Sequence, residues 1–228
     1  MKGNLPSGDE KVTAVRRMFD AIAPRYDLVN RVMTFGMDVG WRRKAVASLD
    51  MRTDALVLDV ACGTGDFCRE VERIGRRAVG LDMSFGMLAA ARTTAPLVQG
   101  DALRTPFDDD CFDATTCGFA LRNVADIKEL FVEFARVLRP GGRIAVLEVS
   151  QPEARIPRAA HSFYFRKIVP LIGGVLSNRA AYSYLPASTA YLPGRRALIE
   201  LIQSAGFPDA TSRSVGFGAA QIITGTRK

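Results

Sequence analysis

The chain is poor in the residues that build metal centres and disulfide frameworks. It has one histidine and four cysteines among 228 residues, and no two cysteines form a CxxC pair. Zinc sites and disulfide scaffolds depend on several such residues at paired spacings. No metal site is therefore expected, and Cys62, Cys68, Cys111 and Cys117 are interpreted as free thiols in or beside apolar segments.

Long apolar runs are absent as well. No stretch approaches the ~20 consecutive apolar residues of a membrane-spanning helix, and the first residues, MKGNLPSGDEK, lack the apolar core of a secretory signal. The sequence predicts a cytoplasmic protein, either soluble or held peripherally at the inner face of the cytoplasmic membrane. With 48% apolar residues the chain can bury a sizeable core, and a single domain over residues 1–228 is expected.

Acidic residues are scarce in one part of the chain. The net charge is +7, and residues 151–198 hold seven basic residues against the single acid Glu153. Aromatic and aliphatic residues are interleaved with these charges. Such a segment is typical of a solvated face, an anionic membrane surface or a nucleic-acid contact. No RNA- or DNA-binding motif is found in the sequence, so no nucleic-acid partner is expected.

Residues 51–150 alternate short apolar runs with segments of helical periodicity. This βαβ rhythm predicts a parallel sheet with helices on both faces, which forms the cofactor-binding core. The predicted strands are Ala55–Val60, Ala78–Asp82, Leu97–Gln99, Phe112–Cys117 and Arg143–Val149, and the predicted helices are Asp66–Ile74, Ser84–Thr93 and Asp126–Leu138.

Three further segments belong to the same domain. Residues 1–50 read as a helical cap, residues 151–193 as an insertion that covers the substrate, and residues 194–228 as a helix and an antiparallel hairpin that turns through Gly216 and Gly218. The predicted elements are helices Val12–Ala23 (ended by Pro24), Val39–Ser48 and Gly194–Ala205, and strands Ala210–Val215 and Ala220–Thr226.

A glycine-rich turn follows the first predicted strand, in the stretch VLDVACGTGDF of residues 57–67. A strand, a glycine turn and a helix usually hold a nucleotide-like ligand on their backbone. The dinucleotide pattern GxGxxG is not completed, because Cys68 occupies its third glycine position. Asp66 also places a carboxylate at the helix N-terminus, where a pyrophosphate would bind. The pattern therefore disfavours a dinucleotide oxidoreductase and favours a ligand that carries positive charge.

Acidic residues stand near successive strand ends, at Asp59, Asp66, Asp82 and Asp101. S-adenosylmethionine suits them, because it carries a sulfonium and an ammonium group but no phosphate. Asp82 is placed to accept both ribose hydroxyls, Met83 to lie against the adenine, and Asp101 to accept the adenine amine. Each acid alone is equally typical of a helix cap or a turn. In combination they resemble the class I S-adenosylmethionine-dependent methyltransferases.

Four stretches carry a closer resemblance: YDLVNRVMTFGMDVGWR (26–42), GFALRNVAD (118–126), RVLRPGGRIAVLEVS (136–150) and YSYLPAS (182–188). They resemble the ubiquinone/menaquinone biosynthesis C-methyltransferases, also called demethylmenaquinone methyltransferases. The resemblance implies a Rossmann-like α/β fold, with a seven-stranded, mostly parallel sheet, helices on both faces and a C-terminal antiparallel hairpin. It implies C-methylation of a prenylated quinol, with demethylmenaquinol favoured and a benzoquinol or another small phenol as alternatives. It leaves a homodimer open.

The resemblance also places ligand contacts. The family's cofactor contacts fall on Thr64, Asp82, Asp101 and Ala102, and Gly118 stands where the family usually has a serine. Asp38 stands where the family often has a histidine. The complete expected cofactor-binding set is Tyr26, Asp59, Gly63, Thr64, Gly65, Asp82, Met83, Asp101, Ala102 and Gly118.

Arg122 and Asn123 resemble the arginine–asparagine pair proposed to be catalytic in this family. Methyl transfer to a ring carbon requires an ionised quinol hydroxyl and a group that stabilises the oxyanion. Arginine does not lose its proton in proteins, so Arg122 is expected to hold the phenolate or a proton-accepting water, which Asn123 orients. The alternative for Arg122 is an ion pair with Asp126 at a helix start.

Three other features have two interpretations each. Tyr26 either closes over the ligands or packs as an aromatic staple against the core, and His161 is either the proton acceptor or a structural residue. The apolar run Phe163–Leu176 is too short to span a bilayer but is suited to lie on one, beside basic residues that attract anionic lipid. This run predicts weak, salt-reversible membrane association and a substrate tunnel walled by the basic segment; a solvated face predicts neither.

Overall fold

The computed structural model describes residues 8–150 and 188–228. Helices and strands alternate along most of these residues, as the sequence pattern predicts. The helices are α1 (Gly8–Ile22), α2 (Tyr26–Met33), α3 (Met37–Ala47), α4 (Asp66–Arg73), α5 (Phe85–Ala89), α6 (Ile127–Val137) and α7 (Arg195–Ser204). The strands are β1 (Leu56–Val60), β2 (Arg77–Asp82), β3 (Leu97–Gln99), β4 (Phe112–Gly118), β5 (Leu138–Val149), β6 (Thr211–Val215) and β7 (Ala220–Thr226).

The strands form one seven-stranded sheet in the order β3-β2-β1-β4-β5-β7-β6. Strands β1 to β5 run parallel, whereas β7 is antiparallel to both β5 and β6. The mostly parallel sheet and the C-terminal antiparallel hairpin are thus confirmed. Strand order reverses direction between β1 and β4, and in open parallel sheets a ligand crevice forms at the carboxyl ends of the strands beside such a point.

Helices cover both faces of the sheet because its central strands are apolar on both sides. In β1, residues Val57 to Val60 are all buried. One face packs against α6 and α7, whose buried contacts include Phe131, Phe134 and Ile202. The other packs against α3 and α4, where Trp41 lies in the core. Buried apolar surface of this kind dominates folding stability.

Several elements differ from the predictions, and α2, α5 and β5 are examples. Helix α2 was not predicted, and α5 is shorter than the expected Ser84–Thr93. Strand β5 begins at Leu138 rather than Arg143, and its register with β4 shifts between Phe112 and Ala114. The Pro-Gly-Gly sequence inside β5 is accommodated because Gly141 adopts a positive φ of 79°, a conformation that glycine enters without steric cost. Because proline and glycine usually favour turns, the sequence pattern did not predict that the strand includes these residues.

Several predictions lie outside the described residues. They concern His161, the apolar run Phe163–Leu176 and most of the insertion over residues 151–193. Of the helices in residues 8–150 and 188–228, none combines the length and apolar character needed to cross a membrane. The four cysteines are free thiols, and three of them are buried.

Candidate active site

A cavity of about 440 Å³ lies at the carboxyl edge of the sheet. This volume is within the usual range for small-molecule sites. Its walls come from the ends of β1, β2 and β4, from the loop after β3, and from α1, which contributes Val12, Val15 and Phe19. Of the expected site residues, those that line the cavity are Tyr26, Gly63, Asp82, Met83, Asp101, Ala102, Gly118 and Asn123.

The glycine turn after β1 presents backbone to this cavity. Gly63 and Gly65 both have positive φ, 55° and 82°. A Cβ on Gly63 would meet no atom within 4 Å, whereas a Cβ on Gly65 would lie 2.8 Å from the Thr93 side chain. Gly63 therefore leaves space for a ligand against the main chain, and Gly65 allows the turn to pack closely where α4 begins.

Asp82 is the central polar group of the cavity. Its Oδ2 accepts a hydrogen bond from the Gly63 amide at 2.8 Å, and its Oδ1 accepts one from the Ser84 amide at 2.8 Å. Burial raises the pKa of Asp82, and the backbone hydrogen bonds oppose that rise. Each oxygen retains a lone pair after its amide bond, so the carboxylate can accept from a pair of adjacent hydroxyls.

The far wall of the cavity is formed by the loop after β3. Asp101 Oδ1 accepts a hydrogen bond from the Leu103 amide at 2.9 Å, and the side chain is otherwise exposed at the cavity mouth. Met83 is positioned from the β2 side, where its carbonyl accepts from Gln99 Nε2 at 3.2 Å. An acceptor and a soft apolar side chain thus stand on neighbouring strand ends, as the sequence predicts for an adenine site.

Other expected site residues stand behind the cavity wall. Thr64 is buried, and its Oγ1 donates to Asp27 Oδ1 of α2 at 2.5 Å. Asp59 is 1% exposed and accepts from Thr116 Oγ1 at 2.8 Å and, more weakly, from Cys68 Sγ. Burial raises the pKa of Asp59 to about 7. These residues, together with Gly65 and Arg122, are not among those that border the cavity.

Asp66 does not face the cavity, contrary to the expectation that it meets a cationic ligand. Its carboxylate forms ion pairs with Arg31, Arg42 and Arg69. Arg31 and Arg42 also bind Asp38, which is fully buried. The charge of Asp66 is thus balanced by arginines of the protein, and the network ties α2 and α3 to the start of α4.

Gly118 lies at the end of β4, against an aromatic ring. A Cβ at this position would lie 2.8 Å from the Phe67 ring. A serine here would require that ring to move, so Phe67, the second residue of α4, opposes any side chain at this position.

Arg122 and Asn123 lie in the loop that follows β4. Arg122 is 4% exposed, and its Nη1 donates to Glu148 Oε1 at 2.5 Å. The alternative pairing with Asp126 is wrong, because that carboxylate caps α6 by accepting from the amides of Lys128 and Glu129. Asn123 borders the cavity, and its Nδ2 makes a long 3.4 Å hydrogen bond to the carbonyl of Phe119.

Tyr26 packs as an aromatic staple and also borders the cavity, where its contact with a ligand stays a prediction. Its ring packs edge-on against Phe19 of α1, with centroids 5.9 Å apart, and it also lines the cavity. Burial raises the pKa of Tyr26, while a hydrogen bond with Asn30 and the charge of Arg122 oppose that rise. The tyrosine is therefore close enough to the arginine to sense its charge.

Sequence reasoning missed how α1 is attached over the cavity. Lys11 Nζ donates to the carbonyl of Val124 at 2.7 Å and lies 3.7 Å from the centre of the Tyr191 ring. Near the other end of α1, Asp20 accepts from Ser84 Oγ at 2.6 Å and from the Gly86 amide at 2.9 Å. Both residues look like ordinary surface charges in an amphipathic helix, so the sequence carries no signal for these contacts.

Comparison with known proteins identifies the family. Residues 6–227 match the ubiE/COQ5 methyltransferase family. The chain belongs to this family. It is 44% identical to the demethylmenaquinone methyltransferase of Roseiflexus castenholzii over 98% of each chain. It is 41% identical to the ubiquinone/menaquinone biosynthesis C-methyltransferase UbiE of Geobacter sulfurreducens, over 96% of this chain and 90% of that protein.

Solved structures show the same fold. An S-adenosylmethionine-dependent methyltransferase from Thermotoga maritima superposes with a TM-score of 0.66 at 19% identity, covering 93% of this chain and 99% of that one. Phosphoethanolamine N-methyltransferase 2 from Haemonchus contortus, bound to S-adenosyl-L-methionine, superposes with a TM-score of 0.55 at 20% identity, covering 75% and 38%. The Rossmann-like methyltransferase fold is therefore confirmed.

As a family member, the chain is an S-adenosylmethionine-dependent methyltransferase, and the cavity fits this cofactor. The Asp82 carboxylate suits two ribose hydroxyls, and the Asp101 carboxylate suits an exocyclic amine. The bare backbone at Gly63 and the apolar side chains of Leu81 and Met87 leave room for the nucleoside and methionine portions. Carboxylates at both ends of the nucleoside site disfavour a phosphate-bearing ligand.

Proposed function

We propose that the protein methylates a ring carbon of demethylmenaquinol to produce menaquinol. The full-length similarity to demethylmenaquinone methyltransferases carries this proposal. Asn123 at the cavity wall, with the adjacent Arg122, supports it. A benzoquinol ubiquinone precursor is the second candidate, because the name of the Geobacter relative includes both ubiquinone and menaquinone.

Bound S-adenosylmethionine supplies an electrophilic methyl group. The protein must then align the quinol ring with that methyl and stabilise negative charge on the neighbouring quinol oxygen. We assign the first task to Asp82 and Asp101, which hold the cofactor at the strand ends. We assign the second to Arg122, because its guanidinium keeps its charge and offers planar donors to an oxyanion. Arg122 does not border the cavity but the adjacent Asn123 does, so Asn123 would orient the quinol oxygen or an intervening water.

Helix α1 and Tyr26 would exclude water from the reacting groups. The helix covers the cavity with three apolar side chains and is attached through Lys11 and Asp20. A dry site strengthens the attraction between an arginine and a phenolate, since the effective dielectric constant is lower there than in water. We retain weak peripheral membrane association as part of the proposal, because a prenylated quinol resides in the bilayer.

The proposal is tested by quinone analysis. Cells that lack this gene should accumulate a menaquinone precursor one methyl group lighter, and the wild-type gene should restore menaquinone. The purified protein should transfer an isotope-labelled methyl from S-adenosylmethionine to a short-chain demethylmenaquinol. Normal menaquinone in the deletion strain, or faster transfer to a demethylated benzoquinol, would refute the substrate assignment.

A further inference from the structure

Glu148 is a buried acid to which no function has been assigned above. It lies near the end of β5 and is fully buried. Its Oε1 accepts hydrogen bonds from Arg122 Nη1 at 2.5 Å and from the Val149 amide at 2.8 Å. A fully buried carboxylate with one arginine partner carries a large desolvation cost, so its pairing with Arg122 calls for an explanation.

Three of the six buried side-chain polar atoms that lack a hydrogen-bond partner in the described residues belong to Glu148, Arg122 and Asn123. Arg122 Nε, Asn123 Oδ1 and Glu148 Oε2 are all buried, and none has a hydrogen-bond partner within residues 8–150 and 188–228. Native proteins leave few buried polar atoms unsatisfied, and such atoms often belong to functional sites. Two acceptors and one donor on neighbouring residues match the needs of a hydroxyl-bearing ligand or a water.

The backbone of this loop is also held in place from β5. The amide of Phe119 donates to the carbonyl of Leu147 at 2.7 Å, and Phe119 has a positive φ of 58°. Such a conformation costs energy for a residue with a side chain and persists only where the surroundings impose it. Both the main chain and the guanidinium of the loop are therefore held by consecutive residues of β5, Leu147 and Glu148.

We propose that Glu148 is the positioning residue of the methyl-transfer site: through its Oε1 it fixes the plane of the Arg122 guanidinium, so that Nε remains available to the quinol oxygen or to the intervening water. The inference rests on the proposed function, since it requires that Arg122 holds that oxygen. Glu148 acts on the reaction only through Arg122. The two residues should therefore behave as one unit in kinetics.

A double-mutant cycle tests this dependence. The proteins are wild type, Arg122→Gln, Glu148→Gln and the double variant, each assayed for kcat, KM for a short-chain demethylmenaquinol, and S-adenosylmethionine affinity. We expect kcat to fall about 10²- to 10³-fold in Arg122→Gln, as for loss of an oxyanion donor. Glu148→Gln should lower kcat about 10²-fold through misplacement. The double variant should lie within about twofold of Arg122→Gln, with cofactor affinity unchanged throughout.

The matched control is Glu133→Gln, which alters another arginine–glutamate pair, with Arg136, on α6. It should lower the unfolding temperature and leave kcat unchanged. If Glu148→Gln does not fold, the cycle is run with Glu148→Asp, which keeps the charge on a shorter side chain and should show the same non-additivity.

The outcomes separate the two proposals. Multiplied losses in the double variant, or normal kcat in Glu148→Gln, would overturn the positioning role while the proposed function stands. Normal turnover in Arg122→Gln would overturn both the assignment of Arg122 and this inference. A wild-type protein that does not methylate the quinol would overturn the proposed function, and the positioning role with it.

Discussion

Two clusters of arginine and buried carboxylate in the described residues differ in how many partners their charged groups share. In the first, Arg31, Arg42 and Arg69 share Asp38 and Asp66 between them. Arg42 bridges the two acids, with distances of 2.5 Å to Asp38 and 2.9 Å to Asp66. This cluster joins three helices and contributes no side chain to the cavity wall.

The second cluster is smaller, and its single arginine has one carboxylate partner. Arg122 and Glu148 form a single ion pair, and each retains a buried polar atom without a partner in the described part of the chain. Shared networks of the first kind rigidify a fold, whereas an arginine with a buried donor left over can bond a further group. The comparison teaches that burial and charge alone do not distinguish these arginines: Arg122 keeps a buried donor without a partner in the described residues, whereas the arginines of the first cluster do not.

The largest effect is expected from a substitution that breaks the first cluster. Asp38→Asn removes the charge that Arg31 and Arg42 share, and the free energy of unfolding should fall by about 3–5 kcal/mol, because a buried arginine loses its counter-ion. Urea denaturation at pH 7 measures this change, and turnover of the folded enzyme should stay within about twofold. The control Asp54→Asn alters an exposed pair with Arg52 and should leave stability unchanged. Equal stability of the two variants would contradict the structural role of the network.

Asp59 is a buried carboxylate that, unlike those of the two clusters, accepts its hydrogen bonds from Thr116 and Cys68 rather than from arginine. The pKa of Asp59 is raised by burial to about 7, so the folded state retains a proton that the unfolded chain, with its ordinary pKa of 3.8, releases earlier. Stability from this group is complete below about pH 4 and is lost as the pH rises through 7. The loss should amount to roughly 3–4 kcal/mol at 1.36 kcal/mol per pKa unit.

Asp59→Asn tests this dependence, because the amide resembles the protonated acid and does not titrate. Unfolding free energies measured at pH 5 and pH 8 should differ less in the variant than in wild type by about 2–3 kcal/mol, the part of the loss that falls between these two pH values. The same pH dependence in both proteins would show that Asp59 remains ionised in the fold.

The third prediction concerns the second cluster. Arg122→Lys keeps the positive charge but loses the planar donors, so kcat should fall about 10²-fold with S-adenosylmethionine affinity unchanged. Turnover assays with a demethylmenaquinol and calorimetric titration of the cofactor measure the two effects separately. A parallel loss of cofactor affinity would make Arg122 a structural residue, like the arginines of the first cluster.

The smallest effect is expected at a carboxylate bonded to backbone amides rather than to arginine. Asp82→Ala should weaken S-adenosylmethionine binding roughly 10- to 100-fold, since hydrogen bonds to a charged group contribute about 1.5–3 kcal/mol. Calorimetric titration with S-adenosylmethionine and with NAD measures it. Unchanged affinity for the first ligand, or tight binding of the second by wild type, would contradict the cofactor site.

Much of the fold follows from local sequence patterns. The strand Leu97–Gln99 and the strand Ala220–Thr226 were predicted with their observed limits, because alternation and turn residues are local signals. Helix α2 was missed because eight residues offer little periodicity, and β5 was predicted to begin too late because glycine and proline usually end a strand. Asp82 and Met83 were placed at the cavity because a strand end is also a local feature.

Pairing between distant residues could not be predicted in this way. The sequence suggested an ion pair between Arg122 and Asp126, four residues away on the chain. In the structure Arg122 instead binds Glu148 on the neighbouring strand. Asp66 was expected to face the cofactor but is enclosed by arginines from two other helices and its own. Sequence spacing records neither the order of strands in the sheet nor which helix packs over which loop.

The sequence by itself determined the alternation of strands and helices, the glycine turn and the carboxylates at the strand ends, since these depend on backbone preferences and on residues close in the chain. Only the tertiary structure decided which buried charges neutralise one another, how α1 is fastened over the cavity, and that Asp59 is enclosed in the core. These depend on distances between elements far apart in sequence, where burial lowers the dielectric constant and each charge must find its partner across the fold.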